Sequence, residues 1–107
     1  MQISVSGRHM GISGSLKQYC EEKSERLVRF YDRIQSIEVV LDGQNGQHMA
    51  EMIVHIEGAQ PFVAKETQED AYAAIDLLLD KAKAQIRRHK EKLRNRKHPP
   101  KTAEEEE

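Results

Sequence analysis

The sequence predicts an α+β fold of order β-α-β-β-β-α: a four-stranded sheet with two helices packed on one face. Three observations carry that prediction. Four short segments alternate polar and apolar residues with the period of two that strands require. Two longer segments repeat apolar residues at the i, i+3, i+4 spacing of an amphipathic helix. The first helical segment separates strands one and two, whereas strands two to four follow one another across Gly-containing turns. That is a meander with its helices gathered on one side. The 107 residues provide for one domain, expected over residues 1–98, with 99–107 as a disordered acidic tail.

Gln2 to Gly7 opens the chain as a half-buried strand, with Ile3 and Val5 pointing one way and Ser4 and Ser6 the other. Ser13 is a candidate N-cap. Leu16, Tyr19, Cys20, Leu27, Phe30 and Tyr31 then mark the inner face of a helix over residues 14–31. Lys23 interrupts that stripe and is expected to lay its stem along it. The second strand, 35–42, turns Ile37, Val39 and Leu41 inward and Glu38 and Asp42 outward. Gly43-Gln44-Asn45-Gly46 is a turn signal. The third strand, 48–57, has two candidate phases: Met52, Val54 and Ile56 share one face, Met49 and Ile53 the other. Gly58-Ala59 makes a second turn, and Pro61, which lacks an N–H, stands ahead of a fourth strand over 62–67. The second helix begins near Gln68–Asp70, where Glu69, Asp70 and Asp76 suit the positive end of its dipole. Ala71, Ile75, Leu78, Ala82, Ile86, His89 and Leu93 predict its buried stripe, and Pro99-Pro100 stops it.

Charge is distributed unevenly along this chain. Residues 81–101 hold ten Lys and Arg against one acid, Glu91, a net of +9. Residues 1–80 carry seven basic and thirteen acidic side chains, and Glu104–Glu107 close the chain, so the overall −1 conceals one strongly basic element. At about 100° per residue, Lys83, Arg87, Lys90 and Arg94 fall on one flank of the buried stripe and Lys81, Arg88 and Lys92 on the other. Two or three cations at a helix C-terminus complement its dipole. Ten exceed that need and repel one another, which marks the electrostatic footprint of a polyanion binder, a nucleic acid foremost. With no Trp and only three Tyr and two Phe, stacking on splayed bases is not the recognition mode.

Other chemistry is missing from the pattern. His9, His48, His55, His89 and His98 show no metal spacing, and Cys20 has no second Cys. Cys20 lies on an apolar stripe and reads as core, and a chain with a lone Cys suits a reducing compartment. His89 reads as a partly buried hydrogen-bonding residue at the rim of the core. Asp76 and Asp80 are one helical turn apart, but Asp80 is placed to pair with Lys83, so they do not read as an acid–base couple. The Gly7-Arg8-His9 turn precedes a helix without the glycine spacing of a nucleotide site. No catalytic residue, metal, cofactor or small-molecule substrate is expected. No apolar run approaches the roughly 20 residues that span a bilayer, so no membrane partner is expected and the protein reads as cytoplasmic.

One set of residues goes further. Asp70-Ala71-Tyr72-Ala73-Ala74-Ile75-Asp76 is followed by Leu77-Leu78-Leu79-Asp80-Lys81, then by Gln85 and Arg88-His89-Lys90-Glu91-Lys92-Leu93. With an opening of the type Met1-Gln2-Ile3-x-Val5-x-Gly7, this resembles the ribosome hibernation promoting factor family. That family includes the ribosome-associated translation inhibitor and is often labelled sigma-54 modulation protein. The resemblance covers about residues 1–95 and implies a non-enzymatic stationary-phase factor. Such a factor binds the small ribosomal subunit and its ribosomal RNA near the decoding region, blocks messenger and transfer RNA and keeps ribosomes inactive. It implies RNA contacts from Lys81, Arg88, Lys90, Lys92 and Arg94. Lys83 and Arg87 stand in for a basic residue often found where this chain has Ala84, and Arg8, in the first turn, would reach a phosphate. The loop 42–47 lacks the lysines of many relatives. Asp70, Tyr72 and Asp76 carry the family signature and are assigned structural roles. The length resembles the short form, some of which aid ribosome dimerisation together with a separate ribosome modulation factor. Without the resemblance, two alternatives stay open: a double-stranded-RNA binding module, or a protein-interaction regulator acting away from the ribosome.

Overall fold

The computed structural model describes residues 2–95. The elements are β1 (Gln2–Arg8), α1 (Gly14–Phe30), β2 (Ile34–Gln44), β3 (Gln47–Ile56), β4 (Phe62–Gln68) and α2 (Ala71–Asn95). The sheet order is β1-β2-β3-β4; β1 runs parallel to β2 and the remaining pairs are antiparallel. The fold is thus α+β in the predicted order. The expected stop at Pro99-Pro100 and the acidic tail 99–107 lie outside the described residues, as do Arg96, Lys97 and Lys101.

Ile37, Val39 and Leu41 of β2 pair across the ladder with Val54, Met52 and Ala50 of β3, and all six are buried. The inward phase of β3 is therefore Ala50-Met52-Val54-Ile56, and Met49 and Ile53 fall on the opposite, uncovered sheet face. Asn45 and Gly46 both adopt positive φ (54° and 75°) and form the two-residue loop between β2 and β3. An Asn-Gly hairpin turn has this geometry because its left-handed residues match the twist of the strands. At the other end of β2 the register slips between Ile34 and Ser36, so one extra residue lets Ile34 reach the core beside Ile37. The alternating pattern alone started the strand one residue later and missed Ile34.

One core joins this sheet face to Leu16, Cys20 and Leu27 of α1 and to Ala71, Ala74, Ile75, Leu78, Leu79, Ala82 and Ile86 of α2. Ser13 caps α1, its side chain accepting from Leu16 N–H at 3.1 Å. The α1 stripe is continued through its middle by Ser24, which is fully buried, rather than by Lys23. Burial pushes the Cys20 thiol up to about 11, with the neighbouring Glu21 charge adding to the effect. Two expectations for α2 need correction, and one buried residue lies beyond the predicted stripe. Leu93 is 38% exposed, because the core ends before it. Leu79 is buried, because α1 and the sheet together enclose a broader arc than one stripe. Glu69 and Asp70 precede the helix instead of entering its first turn; Asp70 caps it, its carboxylate accepting from Ala73 N–H at 3.3 Å.

Candidate nucleic-acid interface

Helix α2 is longer than the strand beside it. Its 25 residues span about 37 Å at 1.5 Å each, while the seven residues of β4 cover about 23 Å. The helix starts level with the end of β4 and runs back past its beginning, so the excess projects beyond the sheet. Burial follows this geometry: Ile86 is fully buried, His89 is half-buried, and Glu91, Lys92 and Leu93 are exposed. Among the described residues, the basic stretch therefore runs from the packed body of α2, at Lys81, Lys83, Arg87 and Arg88, onto the exposed turns that carry Lys90 and Lys92.

His89 forms the base of the projection. Its ring stands edge-on between Phe62 at the start of β4 (centroids 5.3 Å apart) and Tyr31 after α1 (6.0 Å). Among the described residues its contacts are these two aromatic rings, a wedge that the helical spacing did not announce.

The two predicted basic flanks face different surroundings. On the β4 side, Lys81 donates to the Lys65 carbonyl at 2.7 Å and pairs with Glu66 at 3.2 Å. Gln85 donates to the Val63 carbonyl at 3.2 Å. These two side chains cover outward-facing carbonyls of the edge strand, a common defence against edge-to-edge pairing. Further along, Arg88 and Lys92 line a shallow open groove with Phe62, Gln85 and His89. On the α1 side, Lys83, Arg87 and Lys90 surround the Phe30 ring at 5.8, 5.9 and 4.7 Å from its centroid. Lys83 is thereby drawn to Phe30, and its expected pairing with Asp80 is absent among the described ion pairs. Lys83, Arg87, Arg88, Lys90 and Lys92 have no acidic partner among the described residues. Arg94 belongs to α2, and its side chain lies outside the described set.

Arg8 stands apart from this group. It is the last residue of β1, not part of a turn, because the ladder with β2 continues through the Arg8–Asp42 pair. Its guanidinium lies 3.7 Å from Glu51. The parallel β1–β2 pairing puts Arg8 at the hairpin end of the sheet, opposite the projecting end of α2. That corner also holds Asp42, bonded to His9 at 2.9 Å, so the local charge is mixed.

The signature residues Tyr72 and Asp76 meet α1. Tyr19 donates its hydroxyl to Asp76 at 2.6 Å, Lys23 sits 3.4 Å from the same carboxylate oxygen, and Tyr72 packs edge-on against the Tyr19 ring at 4.8 Å. The Lys23 ammonium also lies 5.1 Å from the Tyr19 centroid, so its head is held at the helix junction. Hydrogen bonding to Asp76, then burial and the carboxylate charge, push the Tyr19 hydroxyl up to about 12. Sequence reasoning missed Tyr19 and Phe30 as organisers, having placed both only on an apolar stripe. Their partners lie far along the chain, and no local spacing signals them.

A profile of the sigma 54 modulation protein / S30EA ribosomal protein family matches residues 3–94. The chain belongs to that family. A ribosome hibernation promoting factor from Azotobacter vinelandii is 42% identical over 92 residues, covering 86% of this chain and 85% of that protein. One from Escherichia coli K12 is 34% identical over 94 residues, covering 88% and 98%. Among solved structures, a ribosomal subunit interface protein from Coxiella burnetii superposes with TM-score 0.78 at 26% identity, covering 84% of this chain and 98% of that one. The Thermus thermophilus Protein Y N-terminal domain gives 0.75 at 32% identity, covering 83% and 99%. The S30EA match thus spans all of the described elements except the first residue of β1, Gln2, and the last of α2, Asn95.

Proposed function

We propose that the protein is a ribosome hibernation factor. The projecting basic end of α2 engages ribosomal RNA of the small subunit near the decoding region, where it excludes messenger and transfer RNA and holds the ribosome inactive. One observation carries the reading: Lys83, Arg87, Arg88, Lys90 and Lys92, which have no acidic partner among the described residues, gather on the C-terminal half of α2, whose last turns leave the core. The names of the relatives, hibernation promoting factors and a ribosomal subunit interface protein, support the ribosome as the polyanion. The site of action is then the cytoplasm, and the protein acts by occupancy without catalysis.

Affinity comes mainly from releasing counterions as Lys83, Arg87, Arg88, Lys90, Lys92 and Arg94 neutralise phosphates. That term carries little sequence information. Selectivity comes from shape, because a stiff helix with two basic flanks fits between folded RNA elements as a mobile tail would not. Lys81 and Arg8 contribute less, since each already faces a carboxylate.

Sedimentation of purified ribosomes with added protein, at low and moderate salt, tests the proposal. The wild type is expected to travel with small subunits and whole ribosomes, less so as salt rises. The Arg88→Glu/Lys90→Glu double variant is expected to stay folded and to bind about 100-fold more weakly, with a log–log salt slope shallower by about one for each phosphate left unneutralised. A folded double variant that co-sediments like the wild type refutes the site. Equal affinity for free duplex RNA and for ribosomes would favour a duplex-RNA module instead. A shift of ribosomes to dimers when a separate modulation factor is added would assign the protein to the dimer-promoting type.

A further inference from the structure

We propose that Phe30 is a positioning residue for the basic surface: its ring gathers Lys83, Arg87 and Lys90 into one phosphate-binding cluster. The inference rests on the proposed function only for the identity of the polyanion. The cluster itself follows from the geometry.

Lys83, Arg87 and Lys90 sit at successive i, i+4 and i+3 spacings on one helix face, where like charges repel one another. A solvated stripe of that kind would splay its side chains apart. Here all three charged groups converge instead within 5.9 Å of one ring centroid, with Lys90 closest at 4.7 Å. The negative face of an aromatic ring attracts cations at this range. Lys90 also lies 5.8 Å from the Tyr31 ring, so two consecutive aromatic residues hold it. No acid competes, because none of the three has a carboxylate partner among the described residues.

The other flank is built differently. Lys81 is tied to Glu66 and to a backbone carbonyl, and Gln85 to another, so that side of α2 secures the edge of β4. The α1 side presents cations held by a ring, which restrains them without cancelling their charge. A carboxylate in the place of Phe30 would also hold them, but it would neutralise them. Phe30 is itself anchored, partly buried against the core at the end of α1, so its ring is a fixed platform. Side chains already ordered before binding lose less rotamer freedom when a phosphate arrives. The ring therefore raises polyanion affinity without touching the polyanion.

Phe30→Leu, which keeps apolar bulk, and Phe30→Tyr, which keeps the ring, separate this role from packing. Three readouts apply to the intact protein: lysine Hε chemical shifts, elution salt from heparin, and affinity for purified small subunits. The wild type is expected to show ring-current-shifted Hε resonances, strongest for Lys90. Phe30→Leu should lose those shifts, elute from heparin at lower salt and bind small subunits about three- to tenfold more weakly, at a wild-type unfolding midpoint. Phe30→Tyr should stay within about twofold of the wild type in every readout. Unshifted lysine resonances in the wild type, which need no variant, overturn the proposal. So does a folded Phe30→Leu that elutes with the wild type. If the wild type elutes late from heparin but fails to bind small subunits, the ribosome reading falls while the heparin and Hε arms still decide the role of Phe30.

Discussion

Asp76 offers a test of whether a family signature residue works inside the domain or at the RNA. Tyr19 donates to its carboxylate at 2.6 Å and Lys23 approaches at 3.4 Å, so replacing Asp76 with Asn leaves an acceptor but removes the charge. A hydrogen bond to a charged group contributes about 1.5–3 kcal/mol, and a half-exposed ion pair about 0.2–1 kcal/mol. The Asp76 side chain is 50% exposed, which screens both. The expected destabilisation is therefore about 1–2 kcal/mol, a fall of roughly 4–16 °C in Tm for a domain of this size. A double-mutant cycle that pairs Asp76→Ala, which removes the acceptor altogether, with Tyr19→Phe isolates the bond, with an expected coupling near 1 kcal/mol. Stability should also depend on pH in a defined direction. The folded Tyr19 pKa of about 12 lies above its ordinary 10.0, so the bond's contribution is full below pH 10 and is lost as pH rises through 12. At this exposed junction solvent screening keeps the pH-dependent part on the order of 1 kcal/mol. Urea denaturation from pH 8 to 11.5 should show the wild type losing its advantage over Asp76→Asn across the upper part of that range. A coupling below about 0.3 kcal/mol refutes the reasoning. Wild-type stability combined with lost small-subunit binding in Asp76→Asn would place the residue at the RNA.

Other consequences follow from the same side-chain arrangement. Lys81→Met should weaken small-subunit binding by no more than about twofold in filter binding, against about five- to tenfold for Arg88→Ala, because Glu66 already offsets the Lys81 charge. A larger loss for Lys81 would reverse the ranking. Cys20 is 1% exposed, and burial with Glu21 beside it holds the thiol near 11, so Ellman's reagent at pH 8 should label it only in denaturant. Rapid labelling of the native protein would contradict this burial. Gly46 adopts φ of 75° in the β2–β3 turn, so Gly46→Ala should cost about 1 kcal/mol in urea denaturation with ribosome binding kept. An unchanged midpoint would show that the turn relaxes.

The sequence by itself determined the order of elements and the inward faces of most of them. The period-two runs of β2 and the helical repeat of Ala71, Ile75, Leu78, Ala82 and Ile86 reflect burial on one side, and burial is written locally in the spacing of apolar residues. Asn45-Gly46 declared its turn because only a few residue types accept positive φ there. The division of the α2 cations into two flanks was also legible, since it follows from the angle per residue alone. Tertiary structure decided what each flank does. It chose between the two phases of β3, brought Ile34 inward through a one-residue register slip, and left Leu93 outside the core. It tied Lys81 to the edge of β4, closed the Tyr19–Asp76 bond across 57 residues of sequence, and set Phe30 beneath three cations. The physical reason is the range of the determinants. Periodicity and turn chemistry act within a few residues, whereas the neutralisation of a charge depends on partners supplied by another element, and only packing brings those together.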